Sequence, residues 1–145
     1  MTEIAHKKPR PVYRNINVFK DLTGYRLPPA GWVSILHRVS GFALFAMLPL
    51  LVWLLDKSLT SELSFVEFQN AFRNGLWIFP GWFIKLIVIG LVWAYLHHFI
   101  AGIRHLWMDV FHAVSKEQGK NSALVTLIAA PVLTLVVALK MFGVF

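Results

Sequence analysis

The 145-residue chain contains no cysteine. Disulfides, thiolate metal sites and ordinary iron–sulfur clusters are thereby excluded within it, although a group held by imidazole is not. No G-x-G-x-x-G and no P-loop occurs, so there is no nucleotide-binding fingerprint. Charge is scarce too: 14% of residues are Asp, Glu, Lys or Arg, against 57% hydrophobic. A water-soluble domain of this length carries more charge, which makes an integral membrane protein the working class. Acidic residues are rarest, 7 against 14 basic. The basic surplus crowds the N-terminal tail and the polar connections without interleaved aromatics. That placement argues for a lipid partner and against nucleic acid.

Three apolar runs are present, from about Trp32 to Leu55, Trp82 to Trp107 and Ala123 to Phe145. Each exceeds the roughly 20 residues a helix needs to cross the hydrocarbon core. The sequence therefore predicts an all-α integral membrane protein: a tail, 1–31, and an anchor domain, 32–145, with three transmembrane helices. Pro49 and Pro131 lie inside the first and third runs, where kinks are expected. The first run starts too late for a signal peptide, and residues 1–31 have no apolar core of their own.

Lys7, Lys8, Arg10, Arg14, Lys20 and Arg26 crowd the tail, whereas the connection between runs one and two holds only Lys57 and Arg73. The positive-inside rule predicts a cytoplasmic N-terminus and an outside C-terminus. In the first connection, Ser64 and Glu67 have capping-box spacing, and Phe65, Phe68 and Phe72 share one helical face. A short interfacial helix is expected there, then a turn at Asn74-Gly75 and belt residues Trp77 and Trp82; a plain loop is the alternative. Pro9, Pro11, Pro28 and Pro29 predict an extended tail.

The polar residues within the spans are not scattered. Ser34, His37, Arg38 and Gly41 are spaced i, i+3, i+4 and i+7, one face of the first span. His98, Gly102, His105 and Asp109 share a face of the second, with His97 turned roughly 100° away. His98 lies about 16 Å along the helix from Asp109, while Arg38 lies about 9 Å from Trp32. Antiparallel spans bring these faces together in one leaflet. Buried charge in hydrocarbon is costly and usually faces a bundle interior or a functional cavity. Lys85 and Lys140 sit near span ends, where snorkelling accounts for them.

One deep imidazole beside cations nearer the aqueous edge matches haem iron and its propionates. Ser34 and Arg38 equally suit a quinone headgroup, whose carbonyl needs a donor and whose reduced form needs charge stabilisation and protons. A proton-coupled transporter or a structural membrane protein uses the same residue types, and on these grounds alone all the readings stand.

"RPVYRNINVF", "SILHRVSGFALF" and "HFIAGIRHLWMD", in this order and spacing, resemble the cytochrome b membrane-anchor subunit of succinate dehydrogenase, respiratory complex II. The resemblance spans most of the chain. It implies haem b with His98, four residues before the glycine of G-I-R-H, as an axial iron ligand. It implies ubiquinone contacts for Ser34 and Arg38, and a propionate environment of His37, Arg38 and, by extension, His105. Asp109 matches the aspartate that closes the motif and has a weaker claim to quinone-site hydrogen bonding. His97 is the neighbour that could be mistaken for the ligand.

The resemblance further implies a helical bundle shared with a sister anchor subunit that supplies the second axial histidine. A flavoprotein oxidises succinate and an iron–sulfur subunit passes electrons to quinone, so this chain is part of an enzyme without being catalytic alone. A fumarate reductase anchor is the alternative within the family. Glu3 near the start and the lack of a recognisable transit peptide point to a bacterial inner membrane, with the C-terminus periplasmic.

Overall fold

A computed structural model describes residues 17–21, 24–112 and 115–143. The tail cations Lys7, Lys8, Arg10 and Arg14 lie outside the described residues, as does most of the tail expected to be extended. Within the described part, one helical turn, α1 (Val18–Asp21), interrupts that extension. Asn17 caps it, its Oδ1 accepting from the Lys20 amide at 3.2 Å.

The other helices are α2 (Pro29–Ala46), α3 (Leu48–Leu59), α4 (Glu62–Arg73), α5 (Gly81–Phe111) and α6 (Lys116–Met141). α5 and α6 are each long and apolar enough to cross a membrane; α2 and α3 meet the same test only together, as a pair bent by 56°, and add a third span if the pair counts as one. The first apolar run thus forms two helices and not one. Pro49 has no amide hydrogen for the carbonyl four residues back, and its ring crowds that carbonyl, so the chain breaks at Met47. Pro131, by contrast, leaves α6 unbroken.

Each span's helices begin before its apolar run, because hydropathy marks hydrocarbon and not hydrogen bonding. α6 begins at Lys116, where Ser115 Oγ accepts from the Gln118 amide at 3.2 Å and Gln118 Oε1 accepts from the Ser115 amide at 3.3 Å. The expected short helix is present as α4, but its capping box is Ser61/Ser64, not Ser64/Glu67. Ser61 is extended, at φ −162° and ψ 167°, and its Oγ accepts from the Ser64 amide at 3.1 Å. Phe65, Phe68 and Phe72 pack successively along one side of α4.

α2, α5 and α6 form a three-helix bundle. Val33, Ala101 and Ala123 are fully buried where all three meet. Small residues there let the backbones approach, which is how helices associate when lipid is as apolar as the core. α3 leaves this bundle: it packs on α4 and, beside the break, on α2, but not on α5 or α6. At the α4 end, Lys85 places its ammonium 5.3 Å from the Phe142 ring centre, joining the start of α5 to the end of α6. Only 22% of the most apolar window of α5, and of α6, is buried inside the chain, so lipid or partner helices must cover the rest.

Candidate functional site

At the opposite end of the bundle from α4, the first turns of α2 lie against the last turns of α5. Here His98 enters the seam. Its Nδ1 lies 3.0 Å from the main-chain oxygen of His37 and 3.4 Å from Ser40 Oγ. A carbonyl can only accept, so Nδ1 carries the hydrogen and Nε2 keeps its lone pair. Ser40, fully buried, donates its hydroxyl to the same carbonyl at 2.9 Å. The imidazole is therefore fixed in one tautomer and one orientation, with Nε2 unengaged by any described residue.

The ring is also held by its faces. His37 stacks on His98 with centroids 4.1 Å apart and an 18° interplanar angle, and His105 follows His37 at 5.3 Å, tilted by 45°. These rings form a ladder along the seam. They do not converge: among the described residues no three metal-ligating side chains gather on one point. Among these rings, His98 has one nitrogen anchored and the other unengaged by any described residue.

Room for that imidazole comes from Gly41. A Cβ built there would lie 2.8 Å from His98 Cε1 and 3.1 Å from Nδ1. At Gly102 the added carbon would meet only His37 Nε2, at 3.8 Å, an ordinary contact. Sequence spacing singles out Gly102 on the helix of His98; the close approach is to the glycine on the facing helix.

His97 is turned elsewhere, as the helical phase predicts. It is 1% exposed, stacks on Trp93 at 5.4 Å, and has no hydrogen-bond partner at Nε2. Ser34 is half-buried on α2, one turn before the exposed Arg38. Arg38 makes no hydrogen bond or ion pair with a described residue, and neither does the exposed Asp109. The structure thus brings His37, His98 and His105 together, leaves Ser34 and Arg38 at the edge of the same α2 face, and keeps His97 apart.

Two residues in the motifs carry structure that sequence reading missed. Ser40 is one, its signal being a small polar residue one helical turn after His37. Arg104 is the other. Although 8% exposed, it pairs with no carboxylate among the described residues; its Nε donates to Ser122 Oγ at 2.9 Å and Nη2 to the Gly119 carbonyl at 3.1 Å. It clamps the start of α6 onto α5 behind the histidine ladder. Arg104→Ala is expected to destabilise the protein as purified from the membrane by about 1.5–3 kcal/mol, the usual worth of hydrogen bonds to a charged group. Thermal unfolding measures this, and an unchanged midpoint would mean the clamp contributes nothing.

Residues 7–137 match the family described as succinate dehydrogenase/fumarate reductase transmembrane subunit. The chain is 36% identical over 121 residues, 83% of its length and 87% of the relative's, to the succinate dehydrogenase cytochrome b556 subunit of Paracoccus denitrificans. It is 40% identical over 103 residues, 71% of its length and 78% of the relative's, to the subunit of the same name from Coxiella burnetii. It is also similar to the succinate dehydrogenase cytochrome b560 subunit of Porphyra purpurea, 34% identical over 111 residues, covering 74% of this chain and 85% of that one. A match across nearly the whole bundle, with both polar faces inside it, means that the chain belongs to the succinate dehydrogenase/fumarate reductase transmembrane subunit family, among its cytochrome b anchors.

Proposed function

We propose that the chain is the haem b-binding anchor of a succinate:quinone oxidoreductase and forms part of its ubiquinone-reduction site. The observation that carries this reading is the His98 imidazole, tied at Nδ1 to the His37 carbonyl with Nε2 free. A histidine that binds metal through one ring nitrogen nearly always anchors the other in this way. The donor set suits haem b: His98 Nε2 would hold its iron, together with a histidine from a sister anchor subunit. Haem, when bound, supplies a one-electron redox centre. His37, Arg38 and His105, nearer the end of the bundle, provide the cationic environment that propionates require.

Ser34 and Arg38 take the quinone. Quinone reduction uses two electrons and two protons, and negative charge develops on the carbonyl oxygens as electrons arrive. The Ser34 hydroxyl donates a hydrogen bond to such an oxygen, and the permanently charged Arg38 guanidinium stabilises the charge until protons are delivered. Asp109 and His97 have weaker claims, Asp109 as an edge residue and His97 as a packed one. The electrons come from succinate by way of a flavoprotein and an iron–sulfur subunit docked on the histidine end. That end faces the bacterial cytoplasm, with the N-terminus inside and the C-terminus in the periplasm, by the distribution of basic residues. The names of the relatives favour succinate oxidation over fumarate reduction as the working direction.

Ser34→Ala and Arg38→Ala are each expected to slow succinate-dependent ubiquinone reduction by roughly ten-fold or more, as loss of a donor to developing charge does. Succinate oxidation by a soluble dye that bypasses the membrane should stay near the unaltered rate. Equal loss of both activities would indicate failed assembly and remove the quinone-site assignment.

A further inference from the structure

At the α4 end, far from the histidines, α3, α4 and the turn after α4 enclose a cleft. It has a volume of about 500 Å³ and is lined by Leu50, Trp53 and Lys57 of α3, Glu67 of α4, and Leu76 and Trp77. The i, i+3, i+7 spacing of the α3 residues lays two apolar side chains and then a lysine along one wall. Lys57 Nζ and Glu67 Oε2 pair at 2.6 Å, and the glutamate side chain remains 61% exposed. The far rim is rigid. Leu76 and Phe79 exchange two backbone hydrogen bonds of 2.9 Å, and Gly75, at φ 105°, has no room for a Cβ. Trp77 sits in this tight turn at φ 53°, a conformation bulky residues seldom adopt, and is 93% exposed.

The cleft combines apolar walls with one charge of each sign, at the end of a membrane span. Hydrocarbon satisfies Leu50, Trp53 and Leu76. A headgroup of a single sign would answer one of the two charges and oppose the other. A neutral ring would need neither. We propose that this cleft holds one zwitterionic phospholipid with a primary ammonium, its phosphate on Lys57, its ammonium on Glu67 and an acyl chain along Leu50 and Trp53. A primary ammonium donates charge-assisted hydrogen bonds to the carboxylate, which a quaternary one cannot. The site is independent of haem and quinone.

The test uses the intact complex, delipidated in detergent and titrated in native mass spectrometry with dioleoyl phosphatidylethanolamine, phosphatidylcholine or phosphatidylglycerol. Other lipid sites contribute equally to every variant, so the difference from wild type isolates this cleft. Phosphatidylethanolamine is expected to bind about ten-fold more tightly than either competitor, the worth of one charged hydrogen bond. Lys57→Gln and Glu67→Gln should each abolish that preference, and the exchange Lys57→Glu/Glu67→Lys should keep it. Preference for phosphatidylglycerol, equal binding of phosphatidylcholine, or retention profiles identical in all variants would each overturn the proposal. The last result would mean that protein from another subunit covers the cleft. The intact mass of each variant complex in the same spectra, with flavoprotein and iron–sulfur subunits bound to this chain, reports that it is assembled.

Discussion

His98→Ala is expected to remove the b-type absorbance band from the reduced-minus-oxidised spectrum of the purified complex, whereas His97→Ala keeps it. The two histidines are adjacent in sequence, so the contrast rests on their surroundings. His98 is half-buried in the α2–α5 seam, its Nδ1 committed to the His37 carbonyl and its Nε2 unengaged. It has both the freedom and the fixed orientation that iron requires. His97 is packed inside the chain, 1% exposed and stacked on Trp93. To reach a haem shared with another subunit, its ring would have to leave the interior of its own bundle. His97→Ala leaves a cavity, felt as a lower melting temperature and not as a changed spectrum. The reverse order of spectral loss would invert the ligand assignment. A wild-type complex with no b-type band would remove the haem reading and reopen the transporter one.

The two spans α5 and α6 were legible because each occupies an apolar run long enough by itself, and the break near Pro49 because proline removes a specific hydrogen bond. The sequence did not reveal that α3 then departs from the bundle, since the direction of a bend depends on what packs on either side. The α4 capping box illustrates a different ambiguity. Ser61, Ser64 and Glu67 form two overlapping patterns of the same spacing, and Ser64 can serve as cap in one or as partner in the other. The structure selects the earlier pair, one turn upstream. Helical phase placed His98 and His97 on different sides correctly, because side-chain direction within one helix follows from geometry alone.

Contacts between helices were not legible in that way. Periodicity ranks Gly102 beside His98 because both lie on α5, but says nothing of which α2 residue faces the imidazole. Ser40 and Arg104 were overlooked for the same reason: their partners, His98 Nδ1 for one and Ser122 for the other, are supplied by a neighbouring helix. Motif resemblance named residues with chemical roles, while the residues that hold those in position became visible only as distances.

Gly41→Val is the largest expected effect among those positioning residues. Even the single carbon of Gly41→Ala would lie 2.8 Å from His98 Cε1, closer than real Cβ atoms approach, so the ring must move. The imidazole is the softer party, and its movement breaks what fixes it: the Nδ1 bond to the His37 carbonyl and the stack on the His37 ring. Loss of such an anchor typically costs 10–100-fold in metal affinity. The alanine variant should therefore bind haem more weakly, by roughly ten-fold. The valine variant, with two further methyl groups in the seam, should carry little or none. Helix propensity pushes the opposite way, since Gly→Ala in a helix interior favours the helix by about 1 kcal/mol. Haem loss from Gly41→Ala could not then be ascribed to a weakened α2. Gly102→Ala supplies the control: it gains the same propensity, but its added carbon meets His37 Nε2 at an ordinary 3.8 Å. Haem content, measured per complex with copurification of the flavoprotein and iron–sulfur subunits confirming assembly, should fall in the order Gly102→Ala, Gly41→Ala, Gly41→Val. Identical haem content in the two alanine variants would mean that the glycine facing His98 is not what seats it, and that the imidazole tolerates displacement from the His37 carbonyl.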